Sequence, residues 1–235
     1  MTLWPPLSAP RGSSNGSGQA LPMLDYLFSQ YATLGRAFLE HLWMVAVVLG
    51  LSLAAAAVLT VTAMYSRVWS AFLVNLFSVI YAIPSLALFA ILIPATGLGK
   101  TTAIIVLILY NQYVLLRNFL AGLRGVDPAM LEAAAGMGMT TLQVLYKIRL
   151  PLSLNPLFAG LRLAAVSTIG IATIAATINA GGLGGILFDG LRSMNMYKIM
   201  WGALLSACLA IGANYLLLWL ENKVAVTIPG TKDGV

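Results

Sequence analysis

Residues able to do chemistry are scarce in this chain of 235 residues. It has one histidine, His41, and one cysteine, Cys208. Charged residues make up 9% of the whole, and the long apolar stretches contain no carboxylate. Hydrolysis inside a membrane needs a cluster of His, Asp, Glu or Ser at one depth, and nothing in the pattern supplies it. Metal binding is no better served, because no His/Cys/Asp/Glu group has ligand spacing. Gly99-Lys100-Thr101 has the ending of a phosphate-binding loop, but the leading glycine of that motif would fall on Pro94, and no strand precedes it. It reads as a turn. Cys208 lies in an apolar run and reads as a small buried residue. The sequence therefore predicts a protein that is not an enzyme and holds no cofactor or metal.

Two groups of polar residues remain. Asn111 and Gln112, with Thr173, Thr177 and Asn179, sit in or next to long apolar stretches. Polar side chains there either line a solute path or tie helices together. The second group is a stretch from Arg124 to Pro151 that is too polar to be buried in lipid and too well punctuated to be a loose loop. Asp127-Pro128 reads as an N-cap followed by proline at the first helical position. Met130 to Ala135 has high helix propensity. Gly136 and Gly138 interrupt it, and Thr140 with Gln143 forms a capping-box pattern that starts a second short helix, stopped by Pro151. Two short helices hinged at glycine make a compact knuckle suited to transmitting a push between a soluble partner and the apolar segments on either side.

Those segments are membrane spans. With 60% hydrophobic residues and a mean hydropathy of +0.92, the chain lacks the charged surface that water-soluble domains carry, roughly a quarter of residues. Five stretches approach the ~20 apolar residues a spanning helix needs: 42–65, 71–93, 101–120, 157–178 and 200–220. Pro84 should kink the second. Residues 1–20, rich in Pro, Ser and Gly, read as a flexible tail without the charged start of a signal peptide. Residues 21–41 carry Leu24, Leu27, Phe28, Tyr31 and Leu34 at helical spacing among charges. They read as an interfacial amphipathic helix or an extension of the first span. The permease domain proper is set at 42–223, with the knuckle at 124–151 and a C-terminal tail at 224–235.

The net charge of +6 does not mark a nucleic-acid binder, since the basic residues are scattered between apolar blocks. They serve better to orient the chain. Placing the knuckle in the cytoplasm puts eight Lys and Arg residues inside and five outside, which predicts the N-terminus out and the C-terminus in. Trp43, Tyr65, Trp69, Tyr197 and Trp201 fall near span ends as interfacial anchors. Gly181, Gly182, Gly184 and Gly185, with Phe188 and Asp189, read as an outer gate, a receptor contact or a connecting turn.

Glu132-Ala133-Ala134, then Gly138, then Ile148-x-Leu150-Pro151 after nine further residues, resembles the EAA motif of binding-protein-dependent ABC importer permeases at every fixed position. Its place ahead of the penultimate span is also that family's. The resemblance runs over about 42–223. The segments Tyr81 to Phe89, Gly97-Leu98-Gly99 and Ala180 to Gly184 are similar to the osmoprotectant branch, which carries glycine betaine, carnitine and choline. It implies an all-α type I ABC importer transmembrane domain in a bacterial cell membrane. It further implies a second permease, an extracytoplasmic solute-binding protein, and a separate cytoplasmic ATPase that binds the ATP. Glu132, Ala133, Ala134 and Gly138 would then meet that ATPase, with Met137, Met139 and Leu142 supplying apolar packing. Other expectations left open are a permease for another small solute, such as an amino acid, and an ion-coupled secondary transporter, although no midplane ionisable residue or inverted repeat favours the latter.

Overall fold

A computed structural model describes the backbone of residues 20–226 and the side chains of 23–224. The expected tail 1–20 and most of 224–235 lie outside the described residues. The elements run α1 (Ala20–Met64), α2 (Arg67–Ala82), α3 (Ser85–Thr96), α4 (Lys100–Arg124), α5 (Pro128–Gly136), α6 (Thr141–Val144), α7 (Leu150–Leu152), α8 (Leu154–Ile174), α9 (Leu183–Arg192) and α10 (Met196–Val226). A π-helical turn, Leu145–Arg149, joins α6 to α7, and a 3₁₀ turn, Ala175–Ile178, ends α8. The fold is all-α among the described residues, as the apolar periodicity requires.

Among the described residues, four helices are long and apolar enough to cross a bilayer, and a fifth crossing exists if the bent pair α2–α3 counts as one span. Proline sets that bend. Pro84 has no N–H and drives the preceding residue out of helical dihedrals, so Ile83 is extended (φ −71°, ψ 131°). The axes of α2 and α3 diverge by 100°, far beyond the kink the sequence predicts. Backbone opened at such depth needs a protein partner, because lipid offers none. The Tyr110 hydroxyl supplies one by donating to the Ile83 carbonyl.

The helix α1 passes through residue 41 without interruption. Its single departure from helical dihedrals is at Gln30 (φ −116°, ψ 16°). That residue kinks α1, and the part beyond it, 31–64, is about 51 Å long at ~1.5 Å per residue, well over the ~30 Å hydrocarbon thickness, so part of α1 lies outside the bilayer core. The apolar ladder of its first turns splits. Leu34 is buried and Leu27 packs beside it, against the cluster that holds Ile169, Leu183 and Leu209, while Leu24, Phe28 and Tyr31 are exposed. The Trp201 indole donates to the Met23 carbonyl at 3.1 Å, and Tyr26 stacks on Tyr197, which fastens this end to the start of α10.

At the centre stands α4, buried along most of its length and packed by α1, α2, α3 and α8. Its contact with α8 is close because two glycines remove side chains from it. A Cβ on Gly160 would come within 2.7 Å of the Asn118 Cβ, and one on Gly122 within 2.7 Å of the Pro156 ring. Small residues at helix crossings let dispersion forces act between backbones, which matters where lipid removes the hydrophobic drive for association. Arg162 of α8 pairs with Glu221 of α10, both largely buried. One charge without the other would face hydrocarbon. Glu221→Leu alone should therefore cost about 3 kcal/mol, and adding Arg162→Leu should restore most of it. Thermal unfolding of the purified protein reads this as a lowered midpoint that recovers in the double variant. A single variant as stable as the parent would contradict the pairing.

Candidate coupling site

Local capping shapes the knuckle. The Asp127 carboxylate accepts from the Ala129 N–H at 2.9 Å, and Pro128 occupies the first turn of α5, where a missing donor is harmless. At the other end Gly138 takes φ +78°. Its N–H donates to the Ala135 carbonyl at 2.9 Å, and the Met139 N–H to that of Ala134 at 3.1 Å. That paired arrangement is a Schellman cap, which needs a left-handed residue at its turn and so favours glycine. Two residues on, the expected capping box is complete. The Thr140 hydroxyl accepts from the Gln143 backbone N–H at 3.3 Å, and the Gln143 side-chain Oε1 accepts from the Thr140 backbone N–H at 2.8 Å.

The second short helix does not stop at Pro151. It widens into the π turn, where the Leu150 N–H reaches the Leu145 carbonyl, runs through Pro151, and breaks at Ser153. A wider turn accommodates a ring that cannot donate. Ser153 is buried, and its hydroxyl donates to the Arg149 carbonyl at 2.6 Å.

Two arginines fasten the knuckle to the bundle. Arg149 donates to the Leu123 carbonyl at 2.6 Å, and Arg124 to the Ala63 carbonyl at 3.1 Å. Both acceptors belong to the last turns of helices, where carbonyls lack intrahelical partners. Of the residues expected at an ATPase contact, Glu132, Ala133, Gly138, Met137 and Leu142 are exposed, and Met139 is half-buried. Ala134 points inward with 1% of its surface exposed, so it packs the knuckle rather than offering a contact. Met130 and Tyr146 are also exposed on this segment and were not singled out from sequence. Their position beside the motif, with Tyr146 one turn beyond Leu142, was the available signal.

The polar residues of the spans divide in two. Asn111 and Gln112 are 2% exposed and hold helices together. The Asn111 amide donates to Thr168 of α8 at 2.9 Å and to Ser52 of α1 at 3.2 Å, and Gln112 donates to the Ser52 carbonyl at 3.3 Å. Within this chain they face no open path. Thr173 is half-buried and Thr177 exposed, each bonding to its own helix, and Asn179 is exposed in a left-handed conformation (φ 70°). Around them the end of the bundle opposite the knuckle closes. Glu40 pairs with Lys100 and accepts from the Gly182 N–H at 3.0 Å, so the false phosphate-loop lysine is a structural ion-pair partner. The glycine-rich stretch is mostly helix α9, entered through Gly181 and Gly182 at positive φ.

A spanning bundle interrupted by a braced, surface-exposed knuckle bearing the complete motif is what comparison with known proteins also yields. Residues 46–225 match the family described as binding-protein-dependent transport system inner membrane component. The chain belongs to this family. It is 40% identical over 153 residues to the carnitine transport permease protein OpuCB of Listeria monocytogenes, covering 65% of this chain and 70% of that one. It is 36% identical over 207 residues to the carnitine transport permease protein OpuCD of Listeria monocytogenes serotype 1/2a, covering 86% and 92%. The osmoprotectant import permease protein OsmW of Salmonella typhimurium is 32% identical over 210 residues, covering 87% and 96%. Among solved structures, an inward-facing MetNI methionine ABC transporter aligns at TM-score 0.72 with 22% identity, covering 85% of this chain and 97% of that one. The fold is thus that of type I ABC importer permeases, as the motif implied.

Because the capping box fixes the start of α6, Thr140→Ala should weaken that turn by about 1 kcal/mol, roughly five-fold faster amide exchange at Gln143 and Val144. Hydrogen exchange with mass spectrometry checks this. Unchanged exchange would show that packing alone holds the turn.

Proposed function

We propose that this chain is the membrane-spanning permease of an ATP-driven importer for a quaternary-amine osmoprotectant such as glycine betaine, carnitine or choline. The observation that carries it is the exposed, doubly braced knuckle with a full EAA motif, in a chain whose relatives are osmoprotectant permeases. Glu132, Ala133, Met137, Gly138 and Leu142 form the contact with a separate ATPase subunit, which binds and hydrolyses the ATP. Apolar packing by Met137 and Leu142 contributes more there than the single carboxylate of Glu132, since an exposed ion pair is worth about 1 kcal/mol or less. Movement of the ATPase reaches the spans through the knuckle, because Arg149 and Arg124 tie it to the ends of α4 and α1.

Counting α2–α3 as one crossing gives five among the described residues and so puts the two ends of the bundle on opposite sides, and the distribution of basic residues supports the N-terminus outside and the C-terminus cytoplasmic. Two ATPases closing on ATP need two knuckles, so the permease works in a pair with itself or a similar chain, and an extracytoplasmic binding protein delivers the solute. Thr173, Thr177 and Asn179 remain candidates for the path formed between the pair.

Gly138→Asp tests this reading. The position is open, with nothing within 4 Å of an added Cβ, so the bundle tolerates the change while the Schellman cap and the docking face do not. In right-side-out vesicles holding ATP and the ATPase inside and the solute-binding protein outside, the variant should insert normally and lose labelled choline or betaine uptake. ATP-coupled uptake at the parental rate would overturn the docking role, and uptake driven by an ion gradient without ATP would overturn the importer reading.

A further inference from the structure

Tyr81, Tyr110 and Tyr113 meet beside the break between α2 and α3. The Tyr81 ring lies 5.0 Å from that of Tyr113, tilted by 32°, and 5.6 Å from that of Tyr110, nearly edge-on at 75°. Tyr110 is buried and its hydroxyl already donates to the Ile83 carbonyl. Tyr81 differs, because 40% of its surface is exposed even with two aromatic neighbours. Tyr110 and Tyr113 flank the midpoint of α4, so the cluster sits at mid-span. Broken helices are tolerated at that depth against protein or a water-filled space.

Arg117 stands one turn nearer the knuckle on the same stripe of α4, seven residues or about 10 Å from the helix end. It is exposed, yet its guanidinium does not reach outward to the headgroups. It turns back toward mid-span, 6.0 Å over the Tyr113 ring, and donates one N–H to the Tyr113 hydroxyl at 2.8 Å. Arg162 has Glu221 as its counter-ion, whereas Arg117 has no carboxylate partner among the described residues. An exposed, unneutralised cation at this depth is costly in hydrocarbon and marks a water-filled route. This stripe faces the path between the paired permeases rather than lipid.

The chemistry of the stripe names what passes it. A quaternary ammonium cannot donate a hydrogen bond, so the electron-rich face of an aromatic ring is its natural contact, and Tyr81 offers one. The Arg117 guanidinium keeps further donors, which match a carboxylate. A solute carrying both groups on a short linker satisfies both residues. A bare cation meets the Arg117 charge with nothing to balance it.

We propose that Tyr81, backed by Tyr113, and Arg117 form a transit site for zwitterionic betaines, with the trimethylammonium over the Tyr81 ring and the carboxylate on Arg117. Glycine betaine and carnitine fit this site, and choline, which lacks the carboxylate, does not. The inference rests on the osmoprotectant reading above and divides its candidate solutes.

The test is saturation-transfer NMR on the permease–ATPase complex without its binding protein, in bilayer discs of phosphatidylglycerol, a lipid that brings no N-methyl group. Irradiating the protein's aromatic protons should saturate the N-methyl protons of glycine betaine about five-fold more than those of choline at equal concentration. Arg117→Gln should lower the betaine signal about ten-fold and leave that of choline no weaker. Tyr81→Leu should lower both about five-fold, and Tyr81→Phe, which keeps the ring, should restore them. A parent signal at background, a choline signal equal to or above that of betaine, or a betaine signal untouched by Arg117→Gln would overturn the site. Should Tyr81→Leu fail to assemble, Arg117→Gln at its exposed position decides. ATP-driven uptake by the parent, with the binding protein present, separates the two readings. Betaine uptake with no signal in the discs overturns the site alone, and uptake of no quaternary amine overturns the osmoprotectant reading and the site with it.

Discussion

Arg149 reaches back across 26 residues to the carbonyl of Leu123, and on that bond the mechanical sense of the chain depends. It joins the exit of the knuckle to the end of α4, the helix from which the knuckle departs. Just above it, Gly122 and Gly160 let α4 and α8 approach until backbone faces side chain with no room for a Cβ. The segment 125–153 is therefore not a flexible loop strung between two helices. It is a bracket whose two ends are held together, so in the proposed coupling a force applied to its exposed face would move α4 and α8 together. Packed interiors transmit displacement because they resist compression, and a loose connection would absorb it.

Hydrocarbon surroundings explain the rest of the architecture. Every polar group inside the bilayer must find a partner within the protein. Asn111 finds Ser52 and Thr168, Gln112 finds the Ser52 carbonyl, Arg162 finds Glu221, and the carbonyl exposed by Pro84 finds Tyr110. Each bond joins two different helices or the two sides of a break. Polar residues thereby specify which helices are neighbours, a task that apolar contact performs poorly when lipid is as apolar as the protein. The end opposite the knuckle follows the same rule, with Glu40 holding both Lys100 and the turn at Gly182.

Much of this was legible in the sequence because local chemistry decides it. Asp127-Pro128 and Thr140–Gln143 each specify a cap from neighbouring residues, and both caps form as read; of the two glycines read as interruptions, Gly138 makes the turn and Gly136 still belongs to α5. The spans were visible because lipid demands long apolar runs. What escaped was decided at a distance. The pairing of Arg162 with Glu221 joins residues 59 apart in the chain, and nothing in either neighbourhood signals it. Pro84 announced a kink, but the size of the turn depends on Tyr110 supplying a partner 27 residues away. Pro151 announced a stop, but a π turn ahead of it carried the helix on to Ser153. The inward turn of Ala134 follows from how α5 packs against α6 within the knuckle, which the run of alanines at 133–135 does not fix.

The account stands or falls on where the knuckle's outer face lies and what it meets. A single cysteine at Met137, in a chain with Cys208 replaced by serine, provides the measurement: cross-linking with a short bifunctional reagent in sealed inverted vesicles containing the assembled transporter. The expected result is a covalent product with the ATPase subunit, and modification by membrane-impermeant thiol reagents from the cytoplasmic side alone. Modification only from the opposite side, with no product containing the ATPase, would contradict it.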